Sequence, residues 1–167
     1  MGEITAPERL TTAHNIVDFK SREPPLDEWL RRKALSNETS GACRTYVATD
    51  GERVVGFYCL ATGALAHAQA TGKIRRNMPD PVPVVIVGRM AVDEKYERKG
   101  IGKGLIKDAV IRTLGAAEVV GVRAILIHAK SEESRKFYVD KCGLSECPVD
   151  PMTLMITLTD AKAAFEI

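Results

Sequence analysis

Seven consecutive residues, Arg98-Lys99-Gly100-Ile101-Gly102-Lys103-Gly104, set three cations among three alternating glycines. Glycines let a ligand approach the backbone closely, and cations beside free N–H groups favour a phosphate or pyrophosphate. The apolar run Val84 to Val92 before them reads as a strand. Leu105, Ile106, Ala109, Val110 and Leu114 after them follow helical spacing. The glycines therefore stand at a strand-to-helix junction, where the positive helix end adds to the attraction. Two named phosphate motifs fit poorly. A P-loop closes on Gly-Lys-Ser/Thr, whereas Gly104 is followed by Leu105. A dinucleotide fingerprint needs its third glycine one residue later and an acid ending a second strand. A plain turn would explain the glycines alone; with three cations, a phosphate-binding loop is the better reading.

Other chemistries find little support. His14, His67 and His128 are scattered without ligand spacing, and there is no Ser-His-Asp pattern and no G-x-S-x-G elbow. Cys43, Cys59, Cys142 and Cys147 form no C-x-x-C pair, so neither a metal site nor a disulfide framework is expected and free thiols are the default. Residues 73–112 hold ten Lys or Arg against five acids, a net of +5, while the rest holds fourteen against seventeen, a net of −3. A central basic block suits an anionic ligand or a nucleic acid, although single lysines on such a face are ordinarily just solvated.

The elements that must position this loop can be read along the chain. At 167 residues the length predicts one globular domain over 1–167. No apolar run approaches the ~20 residues of a membrane helix and the N-terminus is charged rather than signal-like, so a cytoplasmic protein without membrane contact is expected. After Pro24-Pro25, the spacing of Leu26, Trp29, Leu30 and Ala34 predicts a helix ending near Gly41. Arg44–Ala48 and Val54–Leu60 read as an antiparallel hairpin turning at Asp50-Gly51. Val84–Val92 reads as a strand covered on both faces. A strand over 122–128, a helix over 131–141 with Ser131 as N-cap and a stop at Gly143, and a last strand over 152–158 follow. This order predicts an α/β or α+β domain around a mixed sheet.

On these residues the chain resembles the GNAT family of acyl-CoA N-acetyltransferases, whose pyrophosphate loop reads Gln/Arg-x-x-Gly-x-Gly/Ala. Here it is Glu97-Arg98-Lys99-Gly100-Ile101-Gly102. Gly88-Arg89-Met90-Ala91-Val92-Asp93 is similar to the family's fourth strand, and Ser134 to Leu144 to its A-x-x-F-Y-x-x-x-G-F segment. Glu97 and Leu144 depart from the usual residues. The resemblance implies a mostly antiparallel mixed sheet flanked by helices, a parallel strand pair splayed at the cofactor site, and acetyl-CoA as donor. It implies that main-chain N–H groups of Met90, Ala91 and Val92 hold the thioester arm, that Arg98, Lys99, Gly100, Ile101, Gly102, Lys103 and Gly104 hold the pyrophosphate, and that Ser134 and Phe137 add cofactor contacts. Tyr138 is then the general acid to the CoA sulfur. On its residue type alone it would read as a core aromatic with a satisfied hydroxyl.

Over nearly the whole length the chain is similar to the GNAT toxins of bacterial type II toxin-antitoxin pairs. The matching stretches include Ile4-Thr5-Ala6-Pro7, Leu26-Asp27-Glu28-Trp29-Leu30, Arg75-Arg76-Asn77-Met78-Pro79-Asp80-Pro81 and Pro151-Met152-Thr153-Leu154-Met155. That resemblance implies acetylation of the α-amino group of aminoacyl-tRNA, blocked translation, a ribbon-helix-helix antitoxin and a homodimer. Lys33, Arg75, Arg76 and Arg89 become the candidate tRNA contacts, extended by Arg31. Two alternatives stay open: a GNAT enzyme acting on a small-molecule amine or on a protein lysine or N-terminus, and a non-catalytic module that keeps the fold as a partner surface.

Overall fold

A computed structural model of the chain describes residues 3–167. Within them the order is β1 (Glu8–Arg9), α1 (Pro24–Arg32), α2 (Ala34–Ser40), β2 (Arg44–Asp50), β3 (Arg53–Leu65), α3 (Gly72–Arg75), β4 (Val82–Val92), α4 (Ile101–Ala117), β5 (Ala124–His128), α5 (Glu132–Asp140), β6 (Ser145–Cys147), β7 (Asp150–Thr157) and α6 (Leu158–Ala164). The strands join in the order β1-β2-β3-β4-β5-β7-β6. The β1–β2, β2–β3, β5–β7 and β6–β7 pairs are antiparallel and β4–β5 is parallel. The β4–β5 ladder runs from Val84↔Ala124 to Val87↔Ile127, whereas β4 continues to Val92. The expected mixed α/β sheet with one parallel pair is what forms. The chain separates into two compact units, 1–61 with 88–105, and 62–87 with 106–167.

In the first unit, α1 starts on Pro24-Pro25, whose fixed φ suits a first helical turn. Leu26 and Leu30 are buried with Phe19, Val47, Val54 and Phe57. Each such side chain contributes about 1.5–3 kcal/mol by leaving water. Asp27, also buried, accepts from Ser21 N at 3.0 Å and Ser21 Oγ at 2.5 Å, which fixes the chain entering the helix. The single helix expected to end near Gly41 is two, broken at Lys33; Gly41, at φ 80°, ends the second. Asp50-Gly51 makes the expected hairpin, with Gly51 at φ 64°.

In the second unit, Leu65, Val82, Val84, Ala124, Leu126 and Met155 share a core. Helix α5 begins at Ser131, as expected, in a reciprocal cap: Ser131 Oγ accepts from Ser134 N and Ser134 Oγ accepts from Ser131 N, both at 3.1 Å. Gly143, at φ 79°, follows its end. Strand β3 runs on to Leu65 rather than stopping at Leu60. The four cysteines are free and buried; burial, with Cys43 beside it, pushes the Cys59 thiol up to about 12. Among the described residues no His/Cys/Asp/Glu group could hold a metal ion, and no helix is long and apolar enough to cross a membrane.

Candidate active site

The segment from the end of β4 into α4 belongs to the first unit and is fixed by a buried carboxylate. Asp93 is wholly buried. It accepts from the N–H groups of Lys20 at 3.1 Å and Lys95 at 2.9 Å, and from Arg53 Nη2 at 3.0 Å. Arg53 lies over the Tyr96 ring, 5.7 Å from its centroid, and the Tyr96 hydroxyl donates to Asp50 at 2.7 Å. The hydrogen bond to Asp93 holds the Arg53 guanidinium above its ordinary pKa, so it remains the cation that a buried carboxylate needs. These contacts tie the turn that follows β4 to Lys20, Arg53 and Asp50.

Beyond that turn the backbone enters the left-handed region twice, at Arg98 (φ 61°) and Gly100 (φ 80°). A non-glycine residue there is strained, and such strain persists only where surrounding structure imposes it. Helix α4 begins at Ile101, so Gly102 and Gly104 lie in its first turn rather than in a loop. Ile101 and Leu105 seat that turn over Gly56: a Cβ on Gly56 would stand 3.0 Å from Ile101 Cγ2 and 3.2 Å from Leu105 Cδ1. Helix N–H groups at such a start have no intrahelical acceptor and suit an anion. Arg98, Lys99 and Lys103 are exposed, and none has an ion-pair partner among the described residues. Glu97, the acid that departs from the family pattern, pairs with Arg22 at 2.8 Å and so does not cancel the cations. The residues present fit a pyrophosphate. Of the strand-end residues, Ala91 is buried and Met90 and Val92 are half-buried.

Helix α5, in the second unit, carries Tyr138 in different surroundings. Tyr138 is 5% exposed, with its ring 5.4 Å from that of half-buried Phe137. Among the described residues its hydroxyl makes no hydrogen bond, contrary to a core tyrosine with a satisfied hydroxyl. Burial, and then Cys142, push its pKa above the ordinary tyrosine value. The group is thus neutral through the physiological range and can give a proton rather than take one. Ser134 is occupied by the helix cap, its Oγ also donating to Ser131 O at 3.0 Å.

The basic candidates divide by what holds them. Arg75 Nη1 donates to Ala70 O at 3.3 Å and His67 O at 3.4 Å, so it braces its own loop. The same loop is tied by His67 Nε2 to Pro79 O at 2.8 Å and by Arg123 to Lys73 O at 2.9 Å and Ile74 O at 3.1 Å. At its tip Arg76 is exposed and precedes Asn77, which is left-handed at φ 59°. In the first unit Lys33 is exposed at the α1–α2 break, Arg31 donates to Phe19 O at 3.0 Å, and Arg89 stacks on Trp29 with 4.6 Å from guanidinium carbon to ring centroid. Residue spacing gave no sign of Arg53, Asp93, Gly56, His67 or Arg123.

Residues 41–143 match the acetyltransferase (GNAT) domain, so the chain belongs to the GNAT acetyltransferase family. It is 47% identical, over 98% of both chains, to the tRNA-acetylating toxin of Mycobacterium tuberculosis (strain ATCC 25618 / H37Rv). The fold is also that of AtaT complexed with acetyl-methionyl-tRNAfMet (TM-score 0.87, 21% identity, 98% of this chain and 99% of that one). AtaTR bound with acetyl-CoA shares it too (TM-score 0.82, 22% identity, 97% of this chain and 98% of that one).

Proposed function

We propose that this chain transfers the acetyl group of acetyl-CoA to the α-amino group of aminoacyl-tRNA and thereby acts as a toxin that stops translation. The observation that carries the reading is the 47% identity, over 98% of both chains, to a tRNA-acetylating toxin. The work is done in the cytoplasm by a homodimer, and a ribbon-helix-helix antitoxin neutralises it.

The chain's residues suit that acceptor. A free α-amine has a pKa of about 7.7–8.0 and an esterified amino acid a lower one, so much of it is neutral near pH 7.5 without a protein base. A lysine acceptor, at about 10.4, would need one. The carboxylates nearest in sequence to the loop are engaged, Glu94 with Lys20 at 3.5 Å and Glu97 with Arg22 at 2.8 Å. Acetyl-CoA supplies an activated thioester. Main-chain N–H groups of Met90, Ala91 and Val92 hold its arm and polarise the carbonyl. Arg98, Lys99, Lys103 and the first turn of α4 hold its pyrophosphate, with Gly100 and Gly102 allowing close approach. As the C–N bond forms and the C–S bond breaks, Tyr138 protonates the departing sulfur and recovers a proton from the acylated amine through solvent. Lys33, Arg76 and Arg89 bind tRNA phosphates, and Arg75 supports Arg76.

The test is mass spectrometry of the aminoacyl groups released from a total charged-tRNA pool after incubation with acetyl-CoA. N-acetylated amino acids are the expected result, and their identities give the isoacceptor preference. Acetyl-CoA binding without any acetylated aminoacyl group would overturn the acceptor assignment in favour of a metabolite or protein amine.

A further inference from the structure

Four groups in the first unit form a contiguous run of ring and cation contacts that begins in the core. Phe19 and Phe57 are buried and meet edge to face at 5.4 Å. Half-buried Trp29 lies nearly parallel to Phe57, with 11° between planes and 6.1 Å between centroids. The Arg89 guanidinium then sits on Trp29 at 4.6 Å. Two nearly parallel π faces, Phe57 and Trp29, braced by the edge contact with Phe19, thus underlie one cation, and Arg89 directly precedes the Met90–Val92 strand end.

That cation is unspent. Among the described residues the Arg89 guanidinium has no carboxylate partner and no hydrogen bond, so its place over the Trp29 ring leaves all five N–H donors unspent. The half-buried setting screens it less than an open surface cation. A planar fork of this kind matches a phosphate in two-point contact, which a flexible ammonium does not reproduce. We infer that Trp29 is a positioning residue that holds the Arg89 guanidinium in plane to grip a backbone phosphate at the 3′ end of the aminoacyl acceptor, so that the chain selects acceptors bearing that phosphate. The inference rests on the aminoacyl-tRNA reading and adds to it where the acceptor end is read and by which two residues.

Three acceptors carrying the same amino acid separate the possibilities: charged tRNA, an aminoacylated CCA trinucleotide, and 3′-aminoacyl-adenosine, which has no phosphate. The unmodified protein should prefer the trinucleotide to the adenosine. Arg89→Gln should lower kcat/KM on the trinucleotide and on tRNA by roughly 10- to 100-fold while lowering it on the adenosine by less than about threefold, so that the preference collapses. Its salt slope on the trinucleotide should fall by about 0.7. Arg89→Lys, which keeps the charge but not the fork, should recover only part of the loss. Trp29→Leu should move the preference in the same direction with unchanged acetyl-CoA affinity, and Trp29→Phe, which keeps a stacking face and guards against misfolding, should be intermediate. An equal loss of activity on all three acceptors, or an intact preference in Arg89→Gln, would overturn the inference. A wild-type protein that acetylates none of the three would instead overturn the aminoacyl-tRNA reading beneath it.

Discussion

The 93–104 segment and helix α5 hold their chemistry by opposite means. The first is anchored by polar groups: a buried carboxylate with three donors, a guanidinium against a ring, and an ion pair that consumes Glu97. What it presents outward is charge without an ion-pair partner among the described residues, on a backbone that is left-handed at Arg98 and Gly100. Tyr138 is anchored by apolar burial, and the one polar atom of its side chain has no protein partner among the described residues. On the proposed function the contrast follows from two tasks. A pyrophosphate needs fixed N–H groups and cations that are not neutralised nearby. A proton donor must carry its proton before it reacts, and burial keeps Tyr138 neutral while making it a weaker acid than a free tyrosine. Changes in the first region should therefore act on cofactor affinity, and changes in the second on the rate of the bound complex.

The polar anchor is the place to strike hardest. Asp93→Ala leaves Arg53 without its counter-charge, and because that side chain keeps 28% exposure the loss should be about 2–3 kcal/mol of stability in urea unfolding. Acetyl-CoA binding should weaken with it, read by calorimetry; an affinity that survives would mean the loop does not depend on the buried pair. Replacing both Arg98 and Lys99 with Ala should raise the KM for acetyl-CoA about tenfold in low salt and less at high ionic strength, with kcat nearly unchanged. A fall in kcat at constant KM would erase the division between the two regions. The smallest effect is one of pH. Because Tyr138 is held protonated, the single-turnover rate should rise as the acceptor amine loses its proton below about pH 7.7 and then stay level to about pH 9. A decline between about pH 8 and 9 would mean that burial does not keep this proton in place.

The elements and residues of the site were legible wherever their requirement is local. Gly100 stands at a strand-to-helix junction, Gly51 turns a hairpin, and Ser131 caps α5; each requirement is met within a few residues of its own position. The apolar β4 declared itself in the same way. The anchors could not be read so. Arg53 and Asp93 are 40 positions apart and Arg22 and Glu97 are 75 apart, and no periodicity links them. Gly102 and Gly104 suggest a loop by propensity, yet they lie in α4 because Ile101 and Leu105 seat its first turn over Gly56. Two-residue β1 and four-residue α3 are too short to carry a repeat. Arg75 and Arg76 look alike in sequence, and only the carbonyls of His67 and Ala70 tell the brace from the free cation.

The proposal at stake is that Tyr138 gives the proton and takes no part in holding the acetyl donor. Tyr138→Phe tests it most directly, by acetyl-CoA calorimetry alongside single-turnover acetylation of charged tRNA at saturating donor. The expected result is an unchanged affinity and a rate lowered by roughly 100-fold or more. An unchanged rate would contradict the account outright, and a loss explained entirely by weaker donor binding would make Tyr138 part of the cofactor site instead of its acid.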